Sequence, residues 1–175
     1  MTGAQTTGKD KALEAAAVAA RWALGAFFIY MGLKKALDPV DFLKLTRQYD
    51  IVHTPFLLNL IAATLPWFET MCGMLLLTGV AVRGTALTLV AELIPFTCLV
   101  LRRALALHTL HSIPFCAVKF DCGCGAGEVF ICRKLAENCL LILVSIWLVS
   151  GRGRALCLRH SLFPPRRSPA PPPSL

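Results

Sequence analysis

Four apolar runs punctuated by short charged segments organise this chain. The first covers residues 15–33 and is broken only by Arg21. The others cover residues 57–82, 85–101 and 135–149, with Pro66 and Pro95 inside the second and third. A bilayer core takes about 20 apolar residues as an α-helix, so the pattern predicts four spans, the last a short one. The first run also has the basic start of a secretory leader. It continues unbroken through WALGAFFIYMGL to Lys34-Lys35, which fits a retained span better.

Between the first two runs the pattern changes. Asp38-Pro39 reads as an N-cap followed by proline at the first helical position, with Asp41 in the first turn. The stretch PVDFLKLTRQY mixes apolar and charged residues at near-helical spacing and predicts a short helix lying at the interface, ended by His53 and Pro55. Arg83-Gly84 predicts a tight turn between the second and third spans. Residues 104–134 form the longest connection, and loops of that length in a small protein are functional or disordered. The expected fold is all-α: an integral membrane four-helix bundle with an interfacial helix after the first span. A polar segment (1–14) precedes the membrane domain (15–150). A basic, Pro-rich tail (151–175) has a composition that cannot bury a core.

Composition agrees with lipid as the solvent. Apolar residue types make up 56% and charged types 16% of the 175 residues, with a mean hydropathy of +0.64. About a quarter charged is usual for soluble domains. The net charge of +8 does not point to nucleic acid, because the basic residues flank apolar runs or fall in the tail, as at headgroup level. They divide evenly, nine and nine, between the two sides of a four-span topology. Arg152, Arg154 and Arg159, close behind the last span, favour termini inside. That places the long loop on the periplasmic side of a bacterial inner membrane, the oxidising side.

Two features carry candidate chemistry. Glu69, Glu92 and Arg21 lie at depth in three different spans, where an ionised side chain costs roughly 2.5–3.5 kcal/mol unless it faces the bundle interior and finds a partner. Either Arg21 pairs with a glutamate to fix helix packing, or the group handles protons. Thr64, Thr70, Thr97 and Asn138 are available as neutral partners. Glycines at 25, 32, 73 and 79 allow close helix packing.

The second feature is KFDCGCGAGEVFIC, which holds Cys122 and Cys124 around a glycine. Three readings are open. The two thiols form a redox dithiol, with Lys119 favouring and Asp121 opposing the thiolate. Alternatively, they join Cys116, Cys132, His108 or His111 around a metal. In the third, a structural disulfide such as Cys116–Cys132 staples the loop. Cys72, Cys98 and Cys139, in apolar runs, read as small buried hydrophobes.

The order of these elements resembles the MauE/DoxX group of four-helix membrane proteins. The matching parts are G-L-K-K-A-L-D-P-V-D-F after the first run, L-P-W-F-E in the second, D-C-G-C-G in the loop and R-K-L-A-E-N before the last. The C-G-C element points to the MauE side, although the aromatic that follows it in that family is replaced by Gly125-Ala126-Gly127. The resemblance implies a redox-accessory role in maturation of a partner protein, as in methylamine dehydrogenase maturation, alongside a thioredoxin-like partner. Cys122 and Cys124 would exchange disulfides over a polar interior of Glu69, Glu92 and Arg21. A quinone could be the final electron acceptor, but no residue demands one. The alternatives are a non-catalytic subunit or assembly factor, or a DoxX-type subunit of a quinone-linked oxidoreductase.

Overall fold

Backbone polar groups in a bilayer have no water to bond, so apolar stretches resolve into helices. The computed structural model describes residues 8–50, 54–123 and 127–150, together with Cys157. In chain order they form α1 (Gly8–Leu37), α2 (Pro39–Arg47), α3 (Pro55–Thr78), α4 (Val82–His111), a single 3₁₀ turn (Phe115–Ala117), strands β1 (Lys119–Asp121) and β2 (Glu128–Phe130), and α5 (Ile131–Val149). The expectations about the Pro-rich tail fall, apart from Cys157, outside the described residues, as do residues 1–7 and His53.

Among the described residues three helices, α1, α3 and α4, are long and apolar enough to cross a membrane. The chain is a multi-pass membrane protein. The fourth expected span, α5, has 19 residues, and Arg133, Lys134 and Glu137 occupy its first two turns. Its outer face carries Leu140, Leu143 and Ile146, which are exposed, as are Trp67 on α3 and Leu87 on α4. Large apolar side chains turned outward around the molecule are what lipid contact requires.

The helices associate as two tight pairs, α1 with α3 and α4 with α5. In the first pair the backbones approach too closely for any side chain at the crossing. A Cβ added at Gly73 would sit 2.6 Å from the Gly25 carbonyl oxygen, and one at Gly32 would sit 2.6 Å from that of Pro66. Small residues allow this because helix association in lipid depends on close packing. The second pair is pinned by Arg83 Nε, which donates to the Val149 carbonyl at 2.9 Å, and by Asn138 Nδ2, which donates to Thr97 Oγ1 at 3.1 Å. These contacts set the start of α4 beside the end of α5. The cysteine segment therefore lies at the end of the bundle opposite the starts of α1 and α4.

Several boundaries differ from the sequence pattern. The turn between α3 and α4 is at residues 79–81, not at Arg83-Gly84. Gly79 terminates α3 in the left-handed conformation (φ 72°), the favoured glycine cap, and Arg83 and Gly84 belong to the first turn of α4. Helix α4 runs on through Arg102-Arg103 to His111, so His108 and His111 sit on a helix rather than in a loop. His108 Nδ1 lies 2.5 Å from the Ile113 carbonyl oxygen, where it supports the helix end. Of the cysteines expected to be buried in the spans, Cys72 is buried, whereas Cys98 and Cys139 are exposed.

Helix α2 starts as its signals predict: Asp38 Oδ1 accepts from the Asp41 amide at 3.1 Å, and proline occupies its first turn; it ends at Arg47, before the expected stop, and Pro55 instead opens α3. The cysteine segment is more ordered than a loop. Strands β1 and β2 pair antiparallel, with Lys119 opposite Phe130 and Asp121 opposite Glu128. Val118, Cys122 and Ile131 from this segment pack on Val100 and Ala104 of α4 as a small second core.

Candidate functional site

Charge inside the bundle must be paired, since a lone ion in low dielectric is costly. The pair that forms is Lys35 with Glu69, whose side chains are each 7% exposed. The Lys35 ammonium also stands over the Phe42 ring of α2, 5.4 Å from its centroid. Glu92 of α4 comes within electrostatic reach of both Glu69 and Lys35. The Glu69 and Glu92 carboxyls lie close enough to share a hydrogen bond, and neither buried Oε2 has a further partner among the described residues. From α5, the buried Lys134 bonds Glu137 at 3.2 Å.

The expected polar interior of Glu69, Glu92 and Arg21 is therefore only partly assembled. The two glutamates meet. Arg21 does not join them: it lies fourteen residues before Lys35 on α1, about 21 Å along the axis at 1.5 Å per residue. Its Nη1 instead donates to Cys157 Sγ at 2.6 Å, beside the Gly79 turn. By sequence position Lys35 is equivalent to Lys34, a basic residue flanking the first apolar run as at headgroup level. Helical spacing distinguishes them, because buried positions 21, 24, 25, 28, 31, 32 and 35 form one stripe of α1. Lys34 falls off the stripe, near Tyr30. The same test finds Lys134, which shares the buried stripe of α5 with Asn138 and Ser145.

A cavity of ≈ 280 Å³ opens between the two helix pairs. It is lined by Lys35, Glu69, Glu92 and Lys134, by largely aromatic and aliphatic walls, and by Cys122 and Gly123. Along α4 the lining runs from Glu92 to Leu99, about 10 Å at the helical rise. Helix α2 closes one side through Phe42 and Thr46, joined by Tyr49 just beyond its end. The hydroxyl of Tyr49, absent from the sequence expectations, donates to the Cys122 carbonyl at 2.8 Å. Burial, and next the charge of Asp121, raise the Tyr49 pKa well above its ordinary value, so the phenol stays a donor at any physiological pH.

The cysteines resolve in part. Cys116 and Cys132 form a disulfide with a Cα–Cα separation of 5.1 Å, bracketing the hairpin. Both are thereby withdrawn from the metal set considered for this loop, and among the described residues no three His, Cys, Asp or Glu side chains converge as a metal site. Cys122 is disulfide-bonded and 1% exposed. Cys124 lies outside the described residues. Gly123, in the left-handed region at φ 75°, donates its amide to Asp121 Oδ1 at 2.9 Å. Lys119, expected beside the thiols, has its ammonium 4.1 Å from the Phe130 ring centroid across the hairpin. The hairpin is thus stapled, hydrogen-bonded and seated on the bundle with one half of the C-G-C element facing inward.

Against known proteins, the family model described as methylamine utilisation protein MauE matches residues 13–151. No curated protein and no solved structure matches the chain.

Proposed function

The chain belongs to the methylamine utilisation protein MauE family, and from that premise we propose that it is a membrane redox-accessory protein that exchanges disulfides with a thioredoxin-like partner during maturation of a client, as the family's name associates with methylamine utilisation. The exchanging pair is Cys122 and Cys124. The observation that carries this reading is a disulfide-bonded Cys122, buried and held through its carbonyl by Tyr49, on a hairpin stapled independently by Cys116–Cys132. A separate staple relieves Cys122 of a structural duty and leaves it for chemistry. Because Cys122 is inaccessible, exchange with a protein partner goes through Cys124. A partner thiolate attacks the Cys124 sulfur, the Cys122–Cys124 bond breaks and Cys122 leaves as a thiolate; the partner's second thiolate then attacks the partner sulfur of the mixed disulfide, releasing Cys124 as a thiolate, so the partner is oxidised and the pair reduced, and the same steps in reverse oxidise the pair. In this reading α5 completes a fourth crossing. Both termini face the cytoplasm, and the hairpin emerges on the periplasmic side of a bacterial inner membrane.

Trapping tests it. Cys122→Ser leaves Cys124 able to capture a partner but unable to resolve it, so a mixed disulfide accumulates on non-reducing gels of native membranes. Cys124→Ser accumulates none. If neither variant traps a protein, and maleimide tagging shows Cys122 unchanged between reduced and oxidised cells, the exchange role is lost. A non-catalytic assembly factor would then be the better account.

A further inference from the structure

We infer that, apart from any disulfide exchange, the cavity between the helix pairs binds a fatty acid. Its carboxylate is held by Lys134 and Lys35, and its chain passes out between α3 and α4 into the bilayer. The first observation is where the cavity opens. Ile61 and Leu65 of α3, and Pro95 and Leu99 of α4, line it and are also partly or fully exposed. The turn between these helices is centred on residue 80. Leu65 and Pro95 both stand 15 positions from it, and Ile61 and Leu99 both stand 19, about 22 and 28 Å along their helices. The four side chains therefore lie at matching heights across the α3–α4 boundary. Direct contact between these two helices is slight beside that within each tight pair. The neighbouring Leu60 and Ile94 are exposed as well, so the boundary faces hydrocarbon and an occupant enters from lipid.

The second observation is charge. Lys134 is 3% exposed, lines the cavity and lies within electrostatic reach of Lys35 and Glu69. An ammonium carries three N–H donors. Among the described residues this one bonds Glu137, which is not part of the lining. Glu69 and Glu92 share a hydrogen bond, and ionised carboxylates can only accept, so the two hold at least one proton between them. The lining thus sets two ammonium groups against at most one carboxylate. Buried donors short of acceptors are costly, and an anion with two oxygens meets that deficit. Size then selects the class. The cavity of ≈ 280 Å³ falls just under the roughly 300–1,000 Å³ of small-molecule sites. It admits a carboxylate and part of one chain, not a glycerophosphate head with two chains. Phe27, Phe28, Leu93 and Phe96 wall it, and such apolar surfaces favour buried methylenes. A single-chain carboxylate satisfies the charge, the entry from lipid and the walls together.

The test uses the full chain in phosphatidylcholine nanodiscs, with a diazirine-bearing palmitic acid as probe at mildly alkaline pH. After irradiation the labelled peptides are mapped by mass spectrometry. The expected result is saturable labelling around Ile61 and Leu65 and around Pro95 and Leu99, competed by palmitic acid. Hexadecanol has the same chain without the charge and should compete about tenfold less well. Lys134→Gln should weaken palmitic acid by about tenfold, as loss of a charge-assisted hydrogen bond does. Leu99→Trp, and Ile61→Trp from the other side of the gap, should each suppress labelling. Thermal unfolding checks that the variants fold, and the hexadecanol comparison needs no variant. If hexadecanol competes as well as palmitic acid, or folded Lys134→Gln binds unchanged, no ammonium reads the head and the inference fails. If labelling does not saturate, or spreads evenly to the outward-facing Trp67 and Leu87, the acid is merely dissolved in surrounding lipid and the inference fails. If phosphatidic acid displaces the probe as well as palmitic acid does, the site takes a phospholipid head and the carboxylate class is overturned.

Discussion

Replacing Lys35 with methionine keeps the length and apolar stem of the side chain and removes its charge. Glu69 then loses its ion pair. Its second oxygen has no partner beyond the neighbouring Glu92 carboxyl, so the carboxylate is left buried without its cation. Removing one member of a buried pair costs about 3–5 kcal/mol, and an ionised carboxylate left alone in a span costs a similar roughly 2.5–3.5 kcal/mol. The expected loss for Lys35→Met is therefore about 3–5 kcal/mol. The double variant Lys35→Met/Glu69→Met removes both charges and should be no less stable than either single variant, because replacing a whole buried pair with apolar groups is often neutral. The assay is SDS-driven unfolding in mixed micelles followed by tryptophan fluorescence, analysed as a double-mutant cycle. Arg21→Met supplies the control. At about 21 Å from Lys35 along α1 it should be additive with Glu69→Met within about 0.5 kcal/mol. Additivity between Lys35 and Glu69, or strong coupling between Arg21 and Glu69, would refute the assigned pairing.

Three further outcomes are expected. Gly73→Val drives a branched side chain into the Gly25 carbonyl, which as backbone cannot yield; thermal unfolding should show a loss of about 3 kcal/mol, the top of the usual range for overpacking, or failure to fold. Tyr49→Phe gives up the bond to the Cys122 carbonyl and should cost about 0.5–1.5 kcal/mol at neutral pH, read as faster reduction of the hairpin by dithiothreitol. Because folding raises the Tyr49 pKa above its ordinary 10.0, the unfolded chain releases this proton first; wild type should lose stability as pH rises above 10, and Tyr49→Phe should lose less. The double variant Cys116→Ala/Cys132→Ala opens a loop with a sequence separation of 16 and should cost about 3 kcal/mol, measured by unfolding under non-reducing conditions and by protease cleavage of the hairpin.

Apolar runs showed well where helices lie but poorly where they end. Helix α1 begins at Gly8 and α4 extends to His111, because a helix need not stop where its side chains turn polar; it leaves the membrane and continues. The α3–α4 turn was misplaced for a related reason. Arg83-Gly84 has the look of a turn, yet Gly79 had already supplied the left-handed cap, and one cap is enough. The hairpin is short, three residues a side, and its strands contain no long alternation to detect. Register arises from the staple and from packing on α4. In the candidate site, Cys122, Glu69 and Glu92 were visible as residue types out of place. Tyr49 was not, because nothing local to Gln48-Tyr49-Asp50 says that its hydroxyl will reach residue 122.

The sequence alone determined that this chain enters a membrane as helices, that an N-capped helix follows the first span, and that four of its eight cysteines fall in one segment. Those properties depend on the transfer of side chains to lipid and on local backbone bonding, both readable a few residues at a time. Which cation pairs with which carboxylate was decided by tertiary structure, and it chose Lys35 over Arg21. Both lie on the same buried stripe of α1, and only the antiparallel register of α1 on α3, set by backbone contact at Gly25 and Gly73, determines which of them reaches Glu69. The cavity is likewise a property of two helix pairs standing apart. No single segment encodes it, because a void is defined by what its neighbours fail to fill.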